Sequence, residues 1–263
     1  MKDILVTGAF GGMGRATVSA LVSKGYRVFA IDKKMAKVPD GVYPISADIT
    51  DEESIKKAFD TVRAESDGLY AIVHFAGIYM LDSLIEMKSE DFERIFKINL
   101  YGAYLINKTF MPLLGKGSRI CMTTSELAPL DPLPFTGIYA VTKSALDKYA
   151  YSLRMELQLL GISVSVLRAG AVDTDMIGAS TDALDRFCKE TQLYSCNAER
   201  FKRIVDGVEA RRISTEKLAK RTVSIIEKKK PRFSYAINRN PLLLMLNALP
   251  KRMQLFIIRR VLK

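Results

Sequence analysis

The stretch Thr7-Gly8-Ala9-Phe10-Gly11-Gly12-Met13-Gly14-Arg15 decides the fold. It follows the apolar run Ile4 to Val6, and helical sequence continues directly after it. Glycines at this density would destabilise an ordinary helix start, but they suit a tight turn whose backbone approaches a ligand closely. The free N–H groups and the dipole of the following helix would together bind a pyrophosphate. The order of strand, glycine turn and helix therefore predicts a dinucleotide site; the alternative is a glycine-rich turn that binds nothing.

Short apolar runs alternate with longer amphipathic stretches along the rest of the chain, which predicts a parallel sheet with helices on both faces. Strands are expected at Ile4 to Val6, Arg27 to Ile31, Ala71 to Phe75, Arg119 to Met122 and Ser163 to Leu167, with another before Asp48. Helices are expected at Gly12 to Lys24, Asp51 to Ala64, Ser89 to Met111, Gly137 to Leu160 and Ser214 to Lys229.

We therefore predict a single doubly wound α/β domain of the Rossmann type, with about seven parallel strands, over residues 1–235. With 48% hydrophobic residues, the 263-residue chain can supply one sizeable core. Within this domain, residues 174–212 lack a clear strand, and we interpret them as a substrate lid. Residues 236–263 are expected to form a basic amphipathic helical extension.

The positive charge is concentrated near the end of the sequence. The formal net charge is +11, and residues 199–263 contain 18 Lys/Arg against 5 Asp/Glu, or +13, which leaves −2 for residues 1–198. A basic stripe indicates nucleic acid, an anionic membrane surface or a solvated face. No nucleic-acid motif accompanies it, so we expect no nucleic-acid partner.

Other classes of protein are disfavoured by what the sequence lacks. Its single histidine, His74, and three cysteines without C-x-x-C spacing support neither a zinc site nor a disulfide framework, so no metal is expected. The first residues do not have the pattern of a secretory signal, which gives a cytoplasmic location as the expectation.

An acidic residue follows the second predicted strand. Asp32 lies 18 residues beyond Gly14, near the position where a carboxylate accepts hydrogen bonds from the adenosine ribose. It would repel a 2′-phosphate, which favours NAD. Lys33 and Lys34 could partly offset that carboxylate, so NADP stays open as an alternative.

With Tyr139-Ala140-Val141-Thr142-Lys143 added to the glycine turn, the chain resembles the short-chain dehydrogenase/reductase family over roughly residues 2–235. The turn matches that family's Thr-Gly-x-x-x-Gly-x-Gly pattern. The resemblance implies a nicotinamide dinucleotide cofactor and adds cofactor-binding residues beyond those of the turn. The cofactor-binding residues expected in all are Gly8, Gly11, Gly12, Met13, Gly14, Asp32, Asp48, Ile49, Ala76, Gly77, Tyr139, Lys143, Val172 and Thr174.

Two positions depart from the family pattern. His74-Phe75 replaces the usual pair of asparagines before Ala76-Gly77, so sheet support or the ribose contact is expected to differ there. Ala169 replaces the proline of a Pro-Gly motif, while Gly170 and Thr174 are retained.

The resemblance also implies four catalytic residues: Asn99, Ser125, Tyr139 and Lys143. Ser125 and Tyr139 would bind the substrate oxygen, Lys143 would hold the nicotinamide ribose, and Asn99 would position a water. Ser125 lies 14 residues before Tyr139 rather than the commoner 13, so Thr124 is the alternative.

Hydride loss from an alcohol yields a carbonyl only if the hydroxyl proton is removed, and a tyrosine of lowered pKa can remove it. The i, i+4 spacing places Lys143 on the same helix face as Tyr139, so its ammonium, with an oxidised nicotinamide, is expected to lower that pKa. The predicted activity is hydride transfer between NAD(H) and a secondary alcohol or ketone.

The predicted surroundings of the substrate are mainly apolar and contain no arginine clamp. They comprise Leu127, Leu130, Leu133, Phe135, Met176, Leu184, Phe187 and Tyr194. We therefore expect a hydrophobic alcohol or ketone, such as a steroid, retinoid or lipid, and the layout is similar to hydroxysteroid and retinol dehydrogenase-like members. The alternatives are a 3-oxoacyl-carrier reductase and a catalytically silent dinucleotide sensor.

Two expectations concern assembly. Family members are commonly homodimers or homotetramers formed through the helices near Asn99 and Tyr139. The apolar run within 241–250 is too short to span a bilayer, so residues 241–263 are expected either to lie at a membrane surface or to pack on the protein itself.

Overall fold

One parallel sheet lies at the centre of the protein. The structure, a computed structural model, describes residues 1–209 and 212–263, with the side chains of 175–181 and 206–209 outside the description. The strand order is β3-β2-β1-β4-β5-β6-β7, and neighbouring strands pair in parallel. The strands are β1 (Asp3–Thr7), β2 (Arg27–Asp32), β3 (Val42–Ser46), β4 (Leu69–His74), β5 (Leu114–Ser125), β6 (Ser163–Ala169) and β7 (Ser234–Ile237). The predicted seven-stranded α/β fold is confirmed.

Helices cover both faces of the sheet. They are α1 (Gly12–Val22), α2 (Glu52–Glu65), α3 (Ser89–Phe96), α4 (Gly102–Phe110), α5 (Gly137–Leu157), α6 (Asp175–Glu190), α7 (Ser195–Glu209), α8 (Thr215–Glu227), α9 (Pro241–Ala248) and α10 (Lys251–Leu262). Because side chains alternate along a strand, Leu5 packs in the core on one face, while Ile4 and Val6 pack in the core on the other. A strand covered on both sides reads as a continuous apolar run, which is why β1 was recognisable.

The strand order reverses beside β1. The chain passes from β1 outward to β2 and β3, then crosses back to β4 on the other side of β1. In such sheets, a crevice forms where the carboxyl ends of the two central strands diverge, and ligands bind there. Thr7 and His74 are paired at this end of β1 and β4, so the crevice opens just beyond them.

The helix predicted over Ser89 to Met111 is interrupted. A π-helical segment, Lys97–Tyr101, lies between α3 and α4 and contains Asn99. One extra residue in a turn rotates the following side chains about the helix axis, and such insertions are frequent at functional sites. The difference from the prediction therefore falls at one of the expected catalytic residues.

The segment predicted to be a lid, residues 174–212, is mostly helical where the structure describes it. Residues 174–212, expected to be a lid without strands, contain α6 and α7, although Val172 and Ile213 at its ends form an isolated bridge. The predicted helical extension consists of α9 and α10, and no described helix has the length and apolarity needed to cross a bilayer.

Candidate active site

The glycine-rich turn lies at the carboxyl end of β1, packed against the end of β4. Gly8 has a φ of +65°, and a Cβ there would lie 2.5 Å from the backbone nitrogen of Ala76. A Cβ on Gly14 would lie 2.1 Å from the carbonyl oxygen of Gly8. Helix α1 begins after Gly11 with no capping side chain from the described residues. A helix N-terminus with free N–H groups, in a cradle closed to side chains, fits a cofactor pyrophosphate.

Thr174 lies over this turn. Its Cγ2 atom would be 2.9 Å from a Cβ on Gly12, and its hydroxyl donates to the carbonyl oxygen of Val172 at 3.4 Å. Met13 and Val172 line the same cavity as Thr174. The loop after β6 and the first turn of α1 therefore enclose one space, as expected for two segments that contact one cofactor.

At the adenosine end, both oxygens of Asp32 accept backbone hydrogen bonds. Oδ2 accepts from the N–H of Phe10 at 2.9 Å, and Oδ1 accepts from the N–H of Lys34 at 3.1 Å. The carboxylate is thereby fixed against the glycine turn. The Lys33 ammonium does not contact it, because it donates to Asp48 at 2.9 Å.

Asp48 is held by several donors. Burial by itself raises its pKa, but hydrogen bonds from Lys33 and Thr50 outweigh burial and lower the pKa to about 2. The neighbouring Ile49 packs its side chain against Gly102 in α4. The structure therefore places Asp48 beside Lys33 in the loop after β2 and gives Ile49 a packing contact, while the adenine contact expected of this pair stays a prediction.

His74 joins β4 to the neighbouring elements by buried hydrogen bonds. Its Nδ1 lies 3.4 Å from the Thr7 hydroxyl and its Nε2 lies 3.0 Å from Asn107 Oδ1. The Asn107 amide donates in turn to the Tyr149 hydroxyl at 3.2 Å. Burial lowers the pKa of His74 to about 4 despite the bond to Asn107, so the ring is neutral at pH 7. His74 thus supports the sheet next to the site.

The catalytic residues predicted from sequence come together beside the crevice. Lys143 donates to the carbonyl oxygen of Thr123 at 3.2 Å, and its Nζ lies 5.7 Å from the centre of the Tyr139 ring. A Cβ on Gly77 would lie 3.4 Å from that Nζ and 3.1 Å from Asn99 Oδ1. Four parts of the chain therefore meet within a few ångströms: the loop after β4, strand β5, the π-helical segment and α5.

Asn99 fixes the loop after β4. Its side-chain oxygen accepts from the N–H of Ile78 at 2.8 Å, and its amide donates to the Ile78 carbonyl oxygen at 2.9 Å and to the Thr142 hydroxyl at 3.1 Å. Since the side chain is fully engaged and buried, it orders this loop against α5.

Ser125, rather than Thr124, faces the phenol. Ser125 and Tyr139 line the same cavity, Ser125 lowers the pKa of the Tyr139 phenol, and the Ser125 hydroxyl accepts from the N–H of Leu127 at 3.2 Å. The Thr124 hydroxyl instead donates to Asp147 at 3.3 Å, and Asp147 is paired with Arg168 at 2.7 Å. The geometry therefore favours Ser125, and the Asp147–Arg168 pair connects α5 with β6.

Both members of the proton-transfer pair have shifted pKa values. Burial and the neighbouring Tyr79 raise the pKa of Tyr139, and the bond to Ser125 offsets only part of that rise. Burial lowers the pKa of Lys143 to about 8. The expectation that Lys143 lowers the tyrosine pKa is therefore not met by the chain alone. The physical reason is that removing a phenolate from water costs more than one ammonium at this distance returns.

Ser125, Tyr139 and Lys143 line a largely apolar cavity of about 220 Å³. Leu127 and Leu133 of the predicted substrate residues also line it. Phe135 lies behind it in a cluster with Leu184, Phe187 and Tyr194, and adopts a φ of +65°. The side chain of Met176 lies outside the described residues. The cavity wall is thus apolar around one edge that carries hydroxyl and ammonium groups.

Sequence reasoning missed part of the wall. Helix α7 contributes Phe201, Ile204 and Val205, and α9 contributes Leu243. The Tyr79 ring packs against the Tyr139 ring with ring centres 4.8 Å apart and planes tilted by 56°. Glu126 also lines the cavity, and its Oε2 accepts from the N–H of Asn240 at 2.6 Å. The sequence does not show which neighbour the apolar side chains of α7 and α9 contact.

Comparison with known proteins agrees with this geometry. A family model described as short chain dehydrogenase matches residues 2–185. The chain is similar to estradiol 17-beta-dehydrogenase 2 of Mus musculus, with 30% identity over 212 residues, 73% of this chain and 55% of that protein. It is also similar to an NADPH-dependent 1-acyldihydroxyacetone phosphate reductase of Schizosaccharomyces pombe, with 28% identity over 69% of this chain and 65% of that protein. These matches thus span little more than half to two thirds of the relatives' own lengths.

The fold has close counterparts among solved structures. A short-chain dehydrogenase from Streptomyces avermitilis superposes with a TM-score of 0.80 and 22% identity, over 99% of this chain and 96% of that one. Since the family model covers more than half of the sequence, the chain belongs to the short chain dehydrogenase family.

Proposed function

We propose that this protein transfers a hydride between NAD(H) and a hydrophobic secondary alcohol or ketone, with Tyr139 as the general acid and base. The observation that carries the proposal is that Ser125, Tyr139 and the buried Lys143 line one apolar cavity, with the Lys143 Nζ 5.7 Å from the centre of the Tyr139 ring. A bound nicotinamide cofactor would supply or take up the hydride.

In the direction of ketone reduction, the Tyr139 phenol donates its proton to the substrate oxygen. Ser125 donates a hydrogen bond to the same oxygen, which stabilises the charge that develops there. The phenolate left on Tyr139 is stabilised by the Lys143 ammonium on the same helix face. With a pKa of about 8, Lys143 can also release a proton near neutral pH to restore the phenol. Asn99 keeps the Ile78 loop in place beside this path.

The cofactor proposed is NAD, with NADP as the alternative. Asp32 is fixed by Phe10 and Lys34 where an adenosine ribose would approach, and a carboxylate repels a 2′-phosphate. Lys33 is engaged with Asp48, although an ion pair exposed to water is weak and Lys33 can leave it. The fission-yeast relative is NADPH-dependent by name, so relatives are not a guide to selectivity.

The substrate class proposed is a steroid, retinoid or lipid-like alcohol. The cavity wall is mainly aliphatic and aromatic, and one similar protein is named for estradiol. Against a carrier-bound oxoacyl substrate stands this largely apolar wall; in its favour stands the basic extension, which could dock an acidic carrier. Turnover of a free sterol with none of a carrier thioester would support the first reading.

The assembly proposed is a homodimer or homotetramer. The helices around the site leave large side chains partly exposed, namely Tyr104 on α4 and Tyr151 and Met155 on α5. Burial of such side chains between two copies is favourable. Analytical ultracentrifugation measures the state directly.

Replacement of Tyr139 by phenylalanine tests the mechanism. We expect Tyr139→Phe to lose at least a hundredfold in kcat, while NAD binding stays near normal, because only the proton donor is removed. Tyr151→Phe, on the exposed part of the same helix, is the matched control and should keep full turnover. Steroids, retinol and aliphatic alcohols are assayed with NAD and NADP by the absorbance of the reduced cofactor. Near-normal turnover in Tyr139→Phe would overturn the mechanism, and NAD binding without turnover in the wild type would indicate a silent sensor.

A further inference from the structure

The last part of the chain has an extreme charge composition. Residues 228–263 contain ten lysines and arginines and no aspartate or glutamate. Four of these cations, Arg252, Arg259, Arg260 and Lys263, lie in or directly after α10, are exposed, and form no ion pair with the described residues. Their field is therefore not neutralised within the described chain, and it favours an anionic partner.

The same two helices expose large apolar side chains. Leu242 and Met245 on α9 and Leu255 and Phe256 on α10 are each between 65% and 69% exposed. Positions 252, 256, 259 and 263 follow one another at spacings of three or four residues, and Arg260 lies four residues after Phe256, so Phe256 is on the same face of α10 as the four free cations. Apolar side chains among cations, without acidic residues, are the features of a helix that lies in a membrane interface.

The opposite faces of these helices belong to the substrate region. Leu243 of α9 lines the cavity, and Leu262 of α10 is buried in the cluster that includes Phe187 and Phe201. The Asn197 amide donates to the carbonyl oxygen of Leu262 at 2.7 Å, which fastens the end of α10 to α7. One side of the pair thus contacts the wall of the cavity while the other is open to solvent.

Polar contacts fasten the pair to the loop after β5. Glu126 accepts from the N–H of Asn240, the N–H of Asp131 donates to Asn247 Oδ1 at 2.6 Å, and Lys251 pairs with Asp131. The loop that starts at Ser125 is therefore in direct contact with α9 and α10. A force on this helix pair would act on the wall of the substrate cavity.

The volume of the cavity makes the contact between the α9–α10 pair and the cavity wall relevant to substrate binding. Its volume of about 220 Å³ is below the roughly 300–1,000 Å³ usual for sites that hold drug-sized ligands. A steroid or retinoid would occupy more than this volume, so we expect the segments that border the cavity to adjust when it binds. Helix α9 lines the cavity through Leu243 and exposes Leu242 and Met245 to solvent, and α10 follows it directly along the chain.

We propose that α9 and α10 dock on an anionic lipid bilayer through Leu242, Met245, Leu255, Phe256 and the free cations of α10, and that the cavity receives its substrate from that bilayer. The second half of the proposal rests on the proposed function; the first half does not. The cations select anionic over neutral lipid, and the exposed apolar side chains enter the boundary between headgroups and acyl chains. The partners that compete with lipid for this surface are a second copy of the chain and an acidic protein.

Vesicle flotation of the full chain tests the docking. The probes are vesicles of phosphatidylcholine alone and vesicles in which about a third of the lipid is phosphatidylglycerol, at about 50 mM salt. We expect flotation with the second kind only, and its loss when the salt concentration is raised about tenfold. Failure to float with anionic vesicles at low salt overturns the proposal.

Three variants separate charge from apolar insertion. Arg252→Gln/Arg259→Gln/Arg260→Gln and Leu255→Ser/Phe256→Ser should each weaken partitioning at least tenfold. The matched control, Lys56→Gln/Lys57→Gln/Lys116→Gln, removes three exposed cations elsewhere and should float like the wild type. An equal loss in the control would show non-specific charge attraction and overturn the proposal. A third outcome is that the wild type does not float and the serine variant has a lower sedimenting mass than the wild type. This outcome would also overturn the proposal, and it would assign the surface to contact with a second copy of the chain.

Turnover measurements test substrate delivery. With a sterol dissolved in anionic vesicles, both surface variants should turn over at least fivefold more slowly than the wild type, whereas a small water-soluble ketone should be reduced equally by all three. Equal rates on the vesicle-borne sterol overturn the delivery proposal and leave the proposed function standing. Absence of turnover with every substrate defeats the proposed function, while the flotation result still decides the docking.

Discussion

The Lys143 ammonium donates to the carbonyl oxygen of Thr123 at 3.2 Å. This contact fastens α5, the helix that carries Tyr139 and Lys143, to β5 at a position two residues before Ser125. Lys143 is buried, and burial lowers its pKa to about 8, from an ordinary value of 10.5. A charge taken out of water destabilises the folded state, and one strand carbonyl offsets only part of that penalty. Stability of the fold therefore does not account for a lysine at position 143, whereas the proton transfer proposed for it does.

Replacement of Lys143 by methionine should stabilise the protein and abolish turnover. Methionine fills similar space without a charge, and the pKa shift corresponds to at most about 3 kcal/mol in the free energy of unfolding at pH 7. Thermal denaturation measures the gain, and the kinetic assay measures the loss. Lower stability of Lys143→Met at pH 7 would show that the contact with Thr123 outweighs burial.

The pH dependence of that gain has a definite sign. The folded-state pKa of Lys143 lies below the unfolded value, so between about pH 8 and 10.5 the unfolded chain binds more protons at this residue. The penalty is fully present below pH 8 and disappears as the pH rises through this window. The stability difference between Lys143→Met and the wild type should accordingly shrink from pH 8 to pH 10.5.

Replacement of His74 by glutamine should protect the fold against acid. The pKa of His74 is lowered to about 4, so between pH 6.5 and pH 4 the unfolded chain binds a proton that the folded chain excludes. This contribution weakens the wild type by about 2 kcal/mol at a pH of about 5, relative to pH 7. Glutamine does not titrate, so the difference in unfolding free energy should shift by that amount in its favour.

Denaturant unfolding at the two pH values measures this shift. His74 is the only histidine in the sequence, so no other imidazole contributes to the comparison. Parallel pH profiles for the two proteins would mean that the His74 ring takes up its proton over the same pH range in the folded and unfolded states. The chain to Asn107 and Tyr149 would then have to be drawn with His74 as a donor on both nitrogens.

The parts of the fold that could be predicted are those with local signals. The apolar runs of the strands and the glycines at positions 8 to 14 are each visible within a few residues. The π-helical segment around Asn99 is different, because an apolar pattern over Ser89 to Met111 fits a continuous helix and an interrupted one equally well. The spacing of Tyr139 and Lys143 likewise predicted their shared face but not their burial.

The wall of the cavity depends on contacts between distant parts of the chain. Leu243 and Phe201 are apolar residues in amphipathic helices, and their patterns do not say which neighbour each face covers. Glu126 would pass as an ordinary surface carboxylate in a loop. The shift of the Tyr139 pKa follows from desolvation, which is a property of the packed molecule. The sequence therefore predicts the proposed reacting groups better than it predicts the packing that shifts their pKa values.

Replacement of Asp32 by serine should reverse cofactor selectivity. Loss of the carboxylate removes the repulsion of a 2′-phosphate and leaves Lys33 and Lys34 next to it, so the ratio of kcat/KM for NADP over NAD should rise at least tenfold. Asp40→Ser, an exposed carboxylate beyond the same strand, is the control for net charge. An equal rise in the control, or an unchanged ratio in Asp32→Ser, would contradict selection by this residue.

Glu126 should act as an acceptor rather than as a charge. Burial raises the pKa of its carboxyl group, opposed by the hydrogen bond from the N–H of Asn240 and by Arg239. The raised pKa means that folding destabilises the ionised carboxylate relative to the protonated form. A neutral acceptor at this position would keep the bond to Asn240 without the charge. Glu126→Gln should therefore be at least as stable as the wild type at pH 7, and its KM should change little.

Glu126→Ala removes the acceptor and should have a different effect. The N–H of Asn240, at the start of α9, loses its partner, which costs about 1–2 kcal/mol of unfolding free energy. Because Leu243 follows in the first turn of α9, the cavity wall should loosen, raising KM for a hydrophobic ketone several-fold with a smaller effect on kcat. Thermal denaturation and steady-state kinetics of both variants distinguish the two roles. If glutamine proves as damaging as alanine, the negative charge itself is required, and Glu126 must be assigned a contact with the substrate instead.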